Sequence, residues 1–305
     1  MAVAKQHTVD IFGNELNLKT HFCAFDDTGF KEVEKPYINL YVRTKFCNAR
    51  CPFCIYHSDA SKWNNDKFIE VLEEINKKIP IGKFSITGGE PTLYWDTYKL
   101  ICDTAKQYIP ECDWQITTDG FRWQQLWQDE GYKDMKYIHL SRHHYDDDRN
   151  NEIFKTKTPT TEEIKAVTHK KIHPHQISLR CNLMHDGINS VEEVFKYLDW
   201  ANECGINEVG LVTLMPINEF SKDNYIKFHI KDLICDNFMF TKSQNRFGGG
   251  CECFNYLYRP EKNYRAPIRV YHKNTFNPSA LVGTTEILVF DGENLRIGFD
   301  GKILY

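Results

Sequence analysis

The chain has 305 residues, and its 38 Lys and Arg against 42 Asp and Glu give a formal net charge of −4. That balance excludes the basic footprint of a general nucleic-acid binder, and no apolar run is long enough for a membrane-spanning helix. Residues 1–10 are polar and contain no hydrophobic segment of the signal-peptide type, so we expect a cytoplasmic protein. Eleven cysteines in a reducing compartment indicate metal binding or catalysis rather than disulfides.

Strand-like and helix-like segments alternate along most of the chain. Residue patterning predicts strands at 37–42, 83–87, 113–118, 137–141, 176–182 and 208–214. Helical spacing of apolar residues predicts helices at 66–78, 94–108, 121–130, 161–171 and 191–204. Strands that alternate with helices favour a parallel sheet with right-handed crossovers. We therefore predict an α/β fold, a partial (β/α)6 TIM-type barrel with a C-terminal extension.

The pattern changes after Pro216. Residues 218–267 are irregular, and short strands are predicted at 268–271, 286–290 and 295–299. We predict an N-terminal segment over residues 1–36, a core over 37–217 and a C-terminal extension over 218–305. In barrels of this type the chemistry occurs at the carboxyl ends of the strands, so the residues that follow each strand are the first place to look for a site.

Three cysteines follow the first predicted strand directly. Cys47, Cys51 and Cys54 form the pattern CxxxCxxC. Three thiolates on one short loop can bind three irons of a cubane cluster, because Cys is the usual ligand for such iron. A fourth iron would have no protein ligand from this motif, and an open position is what a catalytic metal centre needs. A structural zinc loop completed by His57, or a set of unrelated thiols, is the alternative.

The motif, with the aromatic Phe53 before its last cysteine, resembles the signature of the radical S-adenosylmethionine (SAM) superfamily. The resemblance implies a [4Fe–4S] cluster whose open iron chelates SAM, and Phe53 as a residue of the cofactor site. One electron then cleaves SAM, and the 5′-deoxyadenosyl radical abstracts hydrogen from substrate. It further implies an external electron donor of flavodoxin or ferredoxin type. The cofactor carries the difficult chemistry, and the protein positions and shields it.

A second motif ends the second predicted strand. Gly88, Gly89, Glu90 and Pro91 resemble the GGE motif of the same superfamily, which lies beside the SAM amino group. Glycine lets the backbone approach a ligand closely, and Glu90 supplies an acceptor for an ammonium group. The resemblance therefore implies that Gly88, Gly89 and Glu90 contact SAM. A plain turn between strand and helix is the alternative.

The ends of the next strands resemble the cyclase that begins molybdenum-cofactor synthesis. Residues 116–120 resemble its TTNG stretch with Asp119 in place of Asn, and residues 137–141 resemble its next strand. The resemblance implies that Thr118 and Ser141 contact SAM, and hydroxyls suit ribose hydroxyls and a carboxylate. Ordinary strand termination is the alternative.

Two further strand ends extend this resemblance to about residue 217. Residues 179–184 and 214–217 resemble the fifth and sixth strands of the same subgroup, which implies Arg180 and Met215 as cofactor contacts. Arg180 suits bidentate recognition of a carboxylate of SAM or substrate, but a structural ion pair is equally compatible. Arg142, His143 and His144 depart from the cyclase. They could meet an anionic substrate, or form a solvated loop before residues 146–148.

The remaining cysteines leave one question open. The spacing of Cys235, Cys251 and Cys253 matches neither the cyclase nor the peptide-modifying relatives. A second cluster at these three residues is one hypothesis, and buried free thiols are the other. The scattered cysteines 23, 102, 112, 181 and 204 are interpreted as packing residues. The cyclase's arginine-rich terminal tail is also missing, so we do not predict GTP cyclisation.

The sequence thus predicts a radical SAM enzyme that acts on a small organic or nucleotide-like substrate. One alternative is the modification of a peptide, as in the maturation of ribosomally made peptides, although residues 1–35 look too short for a peptide-recognition domain. The other is a non-catalytic iron–sulfur or zinc protein. The motifs leave open both the identity of the substrate and whether SAM is consumed or regenerated.

Overall fold

The computed structural model describes residues 6–19, 25–26, 29–30, 38–44, 46–54, 63–170, 176–214, 216, 218–226, 238–243, 252–259, 268–274, 287–298 and 301–305. The chain divides into two compact units. Unit 1 comprises residues 1–47, 56–117 and 279–305, and unit 2 comprises residues 48–55 and 118–278. Within the described ranges, no helix has both the length and the apolar character needed to cross a bilayer.

The elements follow one another in the predicted alternation. The strands are β1 (Gln6–Ile11), β2 (Asn14–Lys19), β3 (Phe25–Asp26), β4 (Gly29–Phe30), β5 (Ile38–Thr44), β6 (Ile81–Gly88), β7 (Asp113–Thr118), β8 (Tyr137–Ser141), β9 (Ile177–Leu183), β10 (Glu208–Thr213), β11 (Phe238–Ser243), β12 (Glu252–Tyr258), β13 (Ile268–Asn274), β14 (Ile287–Phe290) and β15 (Leu295–Ile297). The helices are α1 (Asn65–Lys78), α2 (Trp95–Tyr108), α3 (Trp123–Gln128), α4 (Asp147–Phe154), α5 (Thr161–Thr168), α6 (Val191–Glu203) and α7 (Glu219–Asp223), with a 3₁₀ helix at Glu130–Asp134.

Unit 1 is built on a mostly parallel sheet in the order β15, β14, β5, β6, β7. Neighbours are parallel except β15, which returns antiparallel to β14. Along β5, Ile38, Leu40 and Val42 are fully buried while the residues between them are partly exposed, as the two-residue period of a strand requires. Phe68 of α1 stacks on Phe290 of β14 with ring centroids 5.6 Å apart. This aromatic core fixes the helix that follows the cysteine loop against the sheet.

Unit 2 carries a second run of parallel strands. Its order is β8, β9, β10, β13, β12, β11; β12 pairs antiparallel with both β13 and β11, and the other pairs are parallel. The hydroxyls of Thr160 and Ser190 begin α5 and α6 by accepting backbone N–H bonds, which satisfies donors that a helix start leaves unpaired. The buried Tyr197 of α6 donates its hydroxyl to the Arg142 carbonyl at 2.8 Å. The helix is thereby tied to the segment that follows β8.

All six predicted core strands are present, and β7 and β8 match their predicted bounds. The prediction missed α4 and the four short strands β1 to β4 of the N-terminal segment. It also missed α7 and the antiparallel strands β11 and β12, which lie within the stretch interpreted as irregular. Strands of the C-terminal extension complete both sheets, since β14 pairs with β5 and β13 pairs with β10. The fold class is α/β, as predicted, and the three-segment division stays a prediction.

Candidate active site

The cysteine loop leaves β5 and contains Cys47, Cys51 and Cys54, all partly exposed. The Cys54 amide donates to the Cys51 carbonyl at 3.1 Å, and the Arg50 amide donates to the carbonyl of Phe154 at 2.9 Å. Both bonds lie within unit 2 and hold the second half of the loop in a fixed turn. Three thiols that are not desolvated, on one short loop, are a donor set suited to an iron–sulfur cluster.

The other described cysteines differ from these three. Cys102, Cys181 and Cys204 are buried, and burial raises the pKa of the Cys102 and Cys204 thiols to about 12. Burial also raises the pKa of Cys181 and brings that of Cys112 to about 12. A thiol held in its neutral form is a poor metal ligand and a poor nucleophile. These residues fit their interpretation as packing residues, and Cys23 lies outside the described residues.

Mononuclear metal binding finds no support in the described part of the chain. There, no group of three His, Cys, Asp or Glu side chains lies close enough to hold one metal ion. His57, the fourth ligand of the zinc alternative, lies outside the described residues, so that alternative is not tested. A cubane cluster does not need such convergence, because each thiolate binds a different iron.

Phe53 is partly buried within unit 2. It packs, with Phe220, against the buried side chains of Ile153, Met184 and Leu214. The aromatic position of the motif therefore anchors the cysteine loop to the hydrophobic core. Its assignment to the cofactor site stays a prediction.

The GGEP turn closes on the backbone that leads into the cysteine loop. The Gly89 amide donates to the Thr44 carbonyl and the Glu90 amide to the Phe46 carbonyl, both at 2.6 Å. A Cβ at Gly89 would overlap the carbonyl of Phe46, and Gly88 has φ +109°, a conformation that favours glycine. The close approach that these glycines permit is thus made to the chain's own backbone, immediately before Cys47.

Glu90 is buried, with 2% of its surface exposed. Its Oε1 accepts hydrogen bonds from the Thr92 amide at 2.9 Å and the Thr92 hydroxyl at 2.6 Å. Bonds to an ionised acceptor are roughly twice as strong as neutral ones. Thr92, which the sequence did not single out, therefore holds the Glu90 carboxylate in one orientation.

A second turn follows β7. The Thr118 hydroxyl accepts the Gly120 amide at 2.9 Å, and the Asp119 Oδ1 accepts the Phe121 amide at 2.9 Å. The other oxygen, Oδ2 of Asp119, accepts from the side-chain amide of Asn48 at 3.0 Å. Asn48 belongs to the cysteine loop and both residues belong to unit 2, so Asp119 ties the loop to the end of β7. Sequence reasoning missed this pair because its members lie far apart in the chain.

Ser141 ends β8 and is partly exposed, while the residue after it is buried. The Arg142 guanidinium donates to the carbonyls of His144, Tyr145 and Pro159 and pairs with Asp147 at 2.5 Å. Burial raises the pKa of Asp147, but hydrogen bonds from Arg142 and Thr161 outweigh that effect and lower it. The expectation of a solvated loop is wrong for Arg142. Its donors are used by the fold, which also argues against contact with a substrate.

His143 is also buried and lies between two aromatic rings. Phe154 stacks on it at 4.7 Å and Phe53 meets it edge-on at 5.1 Å, measured between ring centroids. Its Nδ1 accepts the Asn182 amide at 3.1 Å, so a neutral ring carries its proton on Nε2. Burial, helped by the charge of Arg142, lowers the pKa of His143 to about 3. The His143 ring therefore stays neutral at physiological pH and packs against Phe53 of the cysteine loop. The expectation of a solvated loop is wrong for His143 as well.

Arg180 belongs to a buried polar chain that crosses three strands. Its guanidinium lies 3.4 Å from Glu208 Oε1 and 3.3 Å from His139 Nε2, and His139 Nδ1 lies 2.6 Å from the Ser178 hydroxyl. Glu208, His139 and Ser178 are buried. The structural ion pair that the sequence left open for Arg180 is present, so contact with SAM stays a prediction.

Several predicted residues cannot be placed. Met215, Cys235 and Cys251 lie outside the described residues, and Cys253 lies on β12 without a described side chain. Assignment of these residues to a cofactor or to a second cluster therefore stays a prediction. His169 lies exposed at the end of α5.

The sequence profile of the Radical SAM superfamily matches residues 41–228. The chain belongs to this superfamily. It is therefore an enzyme of the class that uses a [4Fe–4S] cluster and SAM as cofactors, which confirms the prediction drawn from the motifs.

Curated relatives share the core alone. A probable GTP 3′,8-cyclase of Saccharolobus islandicus is 27% identical over 188 residues, covering 57% of this chain and 56% of that protein. A GTP 3′,8-cyclase of Clostridium acetobutylicum is 27% identical over 193 residues, covering 61% and 58%. The chain thus spans less than two thirds of the length of each.

A solved structure shows the same fold. Streptococcus suis SuiB bound to S-adenosylmethionine aligns with a TM-score of 0.50 at 19% identity, covering 65% of this chain and 45% of that one. This likeness shows the fold and confirms the predicted α/β class with a mostly parallel sheet. The partial (β/α)6 barrel stays a prediction.

Proposed function

We propose that this enzyme cleaves SAM reductively at a [4Fe–4S] cluster bound by Cys47, Cys51 and Cys54, and abstracts hydrogen from a small organic or nucleotide-like substrate. The observation that carries this proposal is the pair of hydrogen bonds from Gly89 and Glu90 to Thr44 and Phe46. Through them the GGEP turn and the start of the cysteine loop form one rigid element of unit 1. A catalytic centre needs such fixed placement of its parts.

When bound, the cluster and SAM supply the electron transfer and the radical that the protein's own side chains cannot. The thiolates of Cys47, Cys51 and Cys54 would hold the cluster through three of its irons. Glu90, oriented by Thr92, would accept from the SAM ammonium in a charge-assisted contact. Gly88 and Gly89 form the adjacent backbone. We further assign the Phe53 position and the residues Thr118, Ser141, Arg180 and Met215 to the cofactor site.

The two alternatives, a non-catalytic metal-binding protein and a peptide-modifying enzyme, differ in the support that they have. Membership of an enzyme superfamily argues against a non-catalytic iron–sulfur or zinc protein. Peptide modification remains compatible with the core, but no described contact favours it over a small substrate. The proposal also includes an external one-electron donor of flavodoxin or ferredoxin type, a cytoplasmic location and no nucleic-acid partner.

Anaerobic reconstitution with iron and sulfide tests the proposal. The wild-type protein should bind about four irons per chain or more and release 5′-deoxyadenosine from SAM after reduction. Changing Cys47, Cys51 and Cys54 together to Ala should abolish the release. The matched control changes the buried Cys102, Cys181 and Cys204 to Ala and should retain it. Release that persists in the loop variant would contradict the proposal.

The same loop variant tests the second cluster. About four irons per chain remaining after loss of the loop cysteines would indicate a cluster at Cys235, Cys251 and Cys253. No remaining iron would refute it.

A further inference from the structure

Asp119 is a buried carboxylate held close to the cysteine loop. It is 6% exposed, and its two oxygens accept hydrogen bonds from the Phe121 amide and the Asn48 side chain. Both bonds use it as an acceptor, which is the role of an ionised carboxylate. Burying such a charge is costly unless it is hydrogen-bonded, and these two donors contribute to keeping the charge there.

The carboxylate also fixes the orientation of Asn48, the residue that follows Cys47. An ionised carboxylate can only accept, so Asn48 must turn its NH₂ group toward Asp119. The opposite orientation would bring two acceptors together. The observed orientation leaves the Asn48 Oδ1 buried without a hydrogen-bond partner among the described residues. A buried acceptor left unmatched is unfavourable, which shows that the bond to Asp119 dominates the choice.

We propose that Asp119 is a positioning residue that orients Asn48 and, through its negative charge, lowers the reduction potential of the cluster bound by the loop. This rests on the proposed function. Reduction adds negative charge to the cluster, and a nearby carboxylate disfavours that addition. A unit charge about 10 Å away at an effective dielectric of about 20 changes a one-electron equilibrium roughly tenfold.

The test is a redox titration of the reconstituted cluster, followed by electron paramagnetic resonance. Asp119→Asn removes the charge but keeps an oxygen that can accept from Asn48. The ratio of reduced to oxidised cluster at any fixed potential should rise about tenfold, a shift of about 59 mV. Asn48→Ala removes the hydrogen bond between Asn48 and Asp119 but keeps the charge of Asp119. The ratio of reduced to oxidised cluster in this variant should therefore change less than about threefold.

A matched control is Asp291→Asn, because Asp291 is a buried carboxylate bonded within its own hairpin. Its titration should match the wild type. An Asp119→Asn ratio within about twofold of the wild type would overturn the proposal. An equal shift in Asn48→Ala would also overturn the proposal, because the effect would then depend on the hydrogen bond between Asn48 and Asp119 and not on the charge.

Loss of the cluster in Asp119→Asn is also informative. In that case Asp119→Glu, which keeps the charge, should restore both the cluster and the wild-type titration. Loss in both variants would overturn the role of charge. A wild-type protein that binds no cluster or leaves SAM intact would instead refute the proposed function, so the two failures are distinguishable.

Discussion

The GGEP turn of unit 1 and the segment from Ser141 to Asp147 in unit 2 both follow a parallel strand, but they use the position in opposite ways. The turn has no side chain at Gly88 or Gly89, and its backbone closes on that of Thr44 and Phe46. The segment buries a large cation, Arg142, whose donors go to carbonyl oxygens and to Asp147.

The difference shows that a charged side chain at a strand end is not by itself evidence of a substrate site. Arg142 and His143 have the side chains expected of a substrate site, yet both serve the packing of unit 2. The glycines carry no functional group, yet they fix the entry to the cysteine loop. In these two segments, the contacts that a residue makes with the backbone indicate its role better than the chemical reactivity of its side chain does. Four experiments test this contrast.

Gly89→Ala should have the largest effect. Its Cβ would overlap the Phe46 carbonyl, and backbone cannot move aside as a flexible side chain can. We expect a loss of more than about 4 kcal/mol in unfolding free energy, or failure to bind the cluster. Gly298→Ala is the control, because φ is +59° there but nothing lies within 4 Å of the added Cβ. It should cost about 1 kcal/mol by chemical denaturation. Equal losses would show that the close approach at Gly89 is unimportant.

Arg142→Ala should cost about 3–5 kcal/mol, because it removes a fully buried guanidinium that donates to three carbonyl oxygens and pairs with Asp147. The exposed pair of Arg149 with Glu152 offers a comparison. Arg149→Ala should cost less than about 1 kcal/mol, since exposed ion pairs contribute little. Urea denaturation measures both. A stable Arg142 variant with lost turnover would instead assign Arg142 to the substrate.

These two residues also show the limits of the sequence. The GGEP turn was predictable from its resemblance to the GGE motif, one strand–helix unit after the cysteine loop. The six strands were predictable from their apolar runs. The burial of Arg142 was not, because its partners Pro159 and Asp147 depend on how α4 and α5 pack. Helix α4 itself was missed because its apolar residues, Ile153 and Phe154, occur only in its last turn.

Glu90→Gln tests the carboxylate of the turn. Loss of a charge-assisted bond to the SAM ammonium should cost about 1.5–3 kcal/mol, raising the SAM dissociation constant roughly tenfold to a hundredfold. Cluster content should stay near that of the wild type. Calorimetric titration of the reconstituted protein with SAM measures the change. Unchanged affinity would remove Glu90 from the cofactor site.

His143 should make stability depend on pH. Burial lowers its pKa from 6.5 to about 3. Between these two pH values the unfolded chain binds one more proton than the folded chain, so the free energy of unfolding decreases as the pH decreases. Lowering the pH from about 7.5 to 5.5 should remove about 1.4 kcal/mol through this residue. His143→Phe should flatten that part of the dependence, and the exposed His169→Phe should not. Parallel slopes in all three proteins would contradict a neutral buried ring.

The pairing of β14 with β5 has a consequence for biosynthesis. Ile287 lies opposite Asn39, so β5 lacks one of its neighbours until the chain has been synthesised as far as β14. An unpaired strand edge in a nascent chain invites association with other chains. The cysteine loop begins at the end of this strand, and iron delivered early would meet a loop whose support is incomplete. We therefore expect cluster insertion to follow the synthesis of β14.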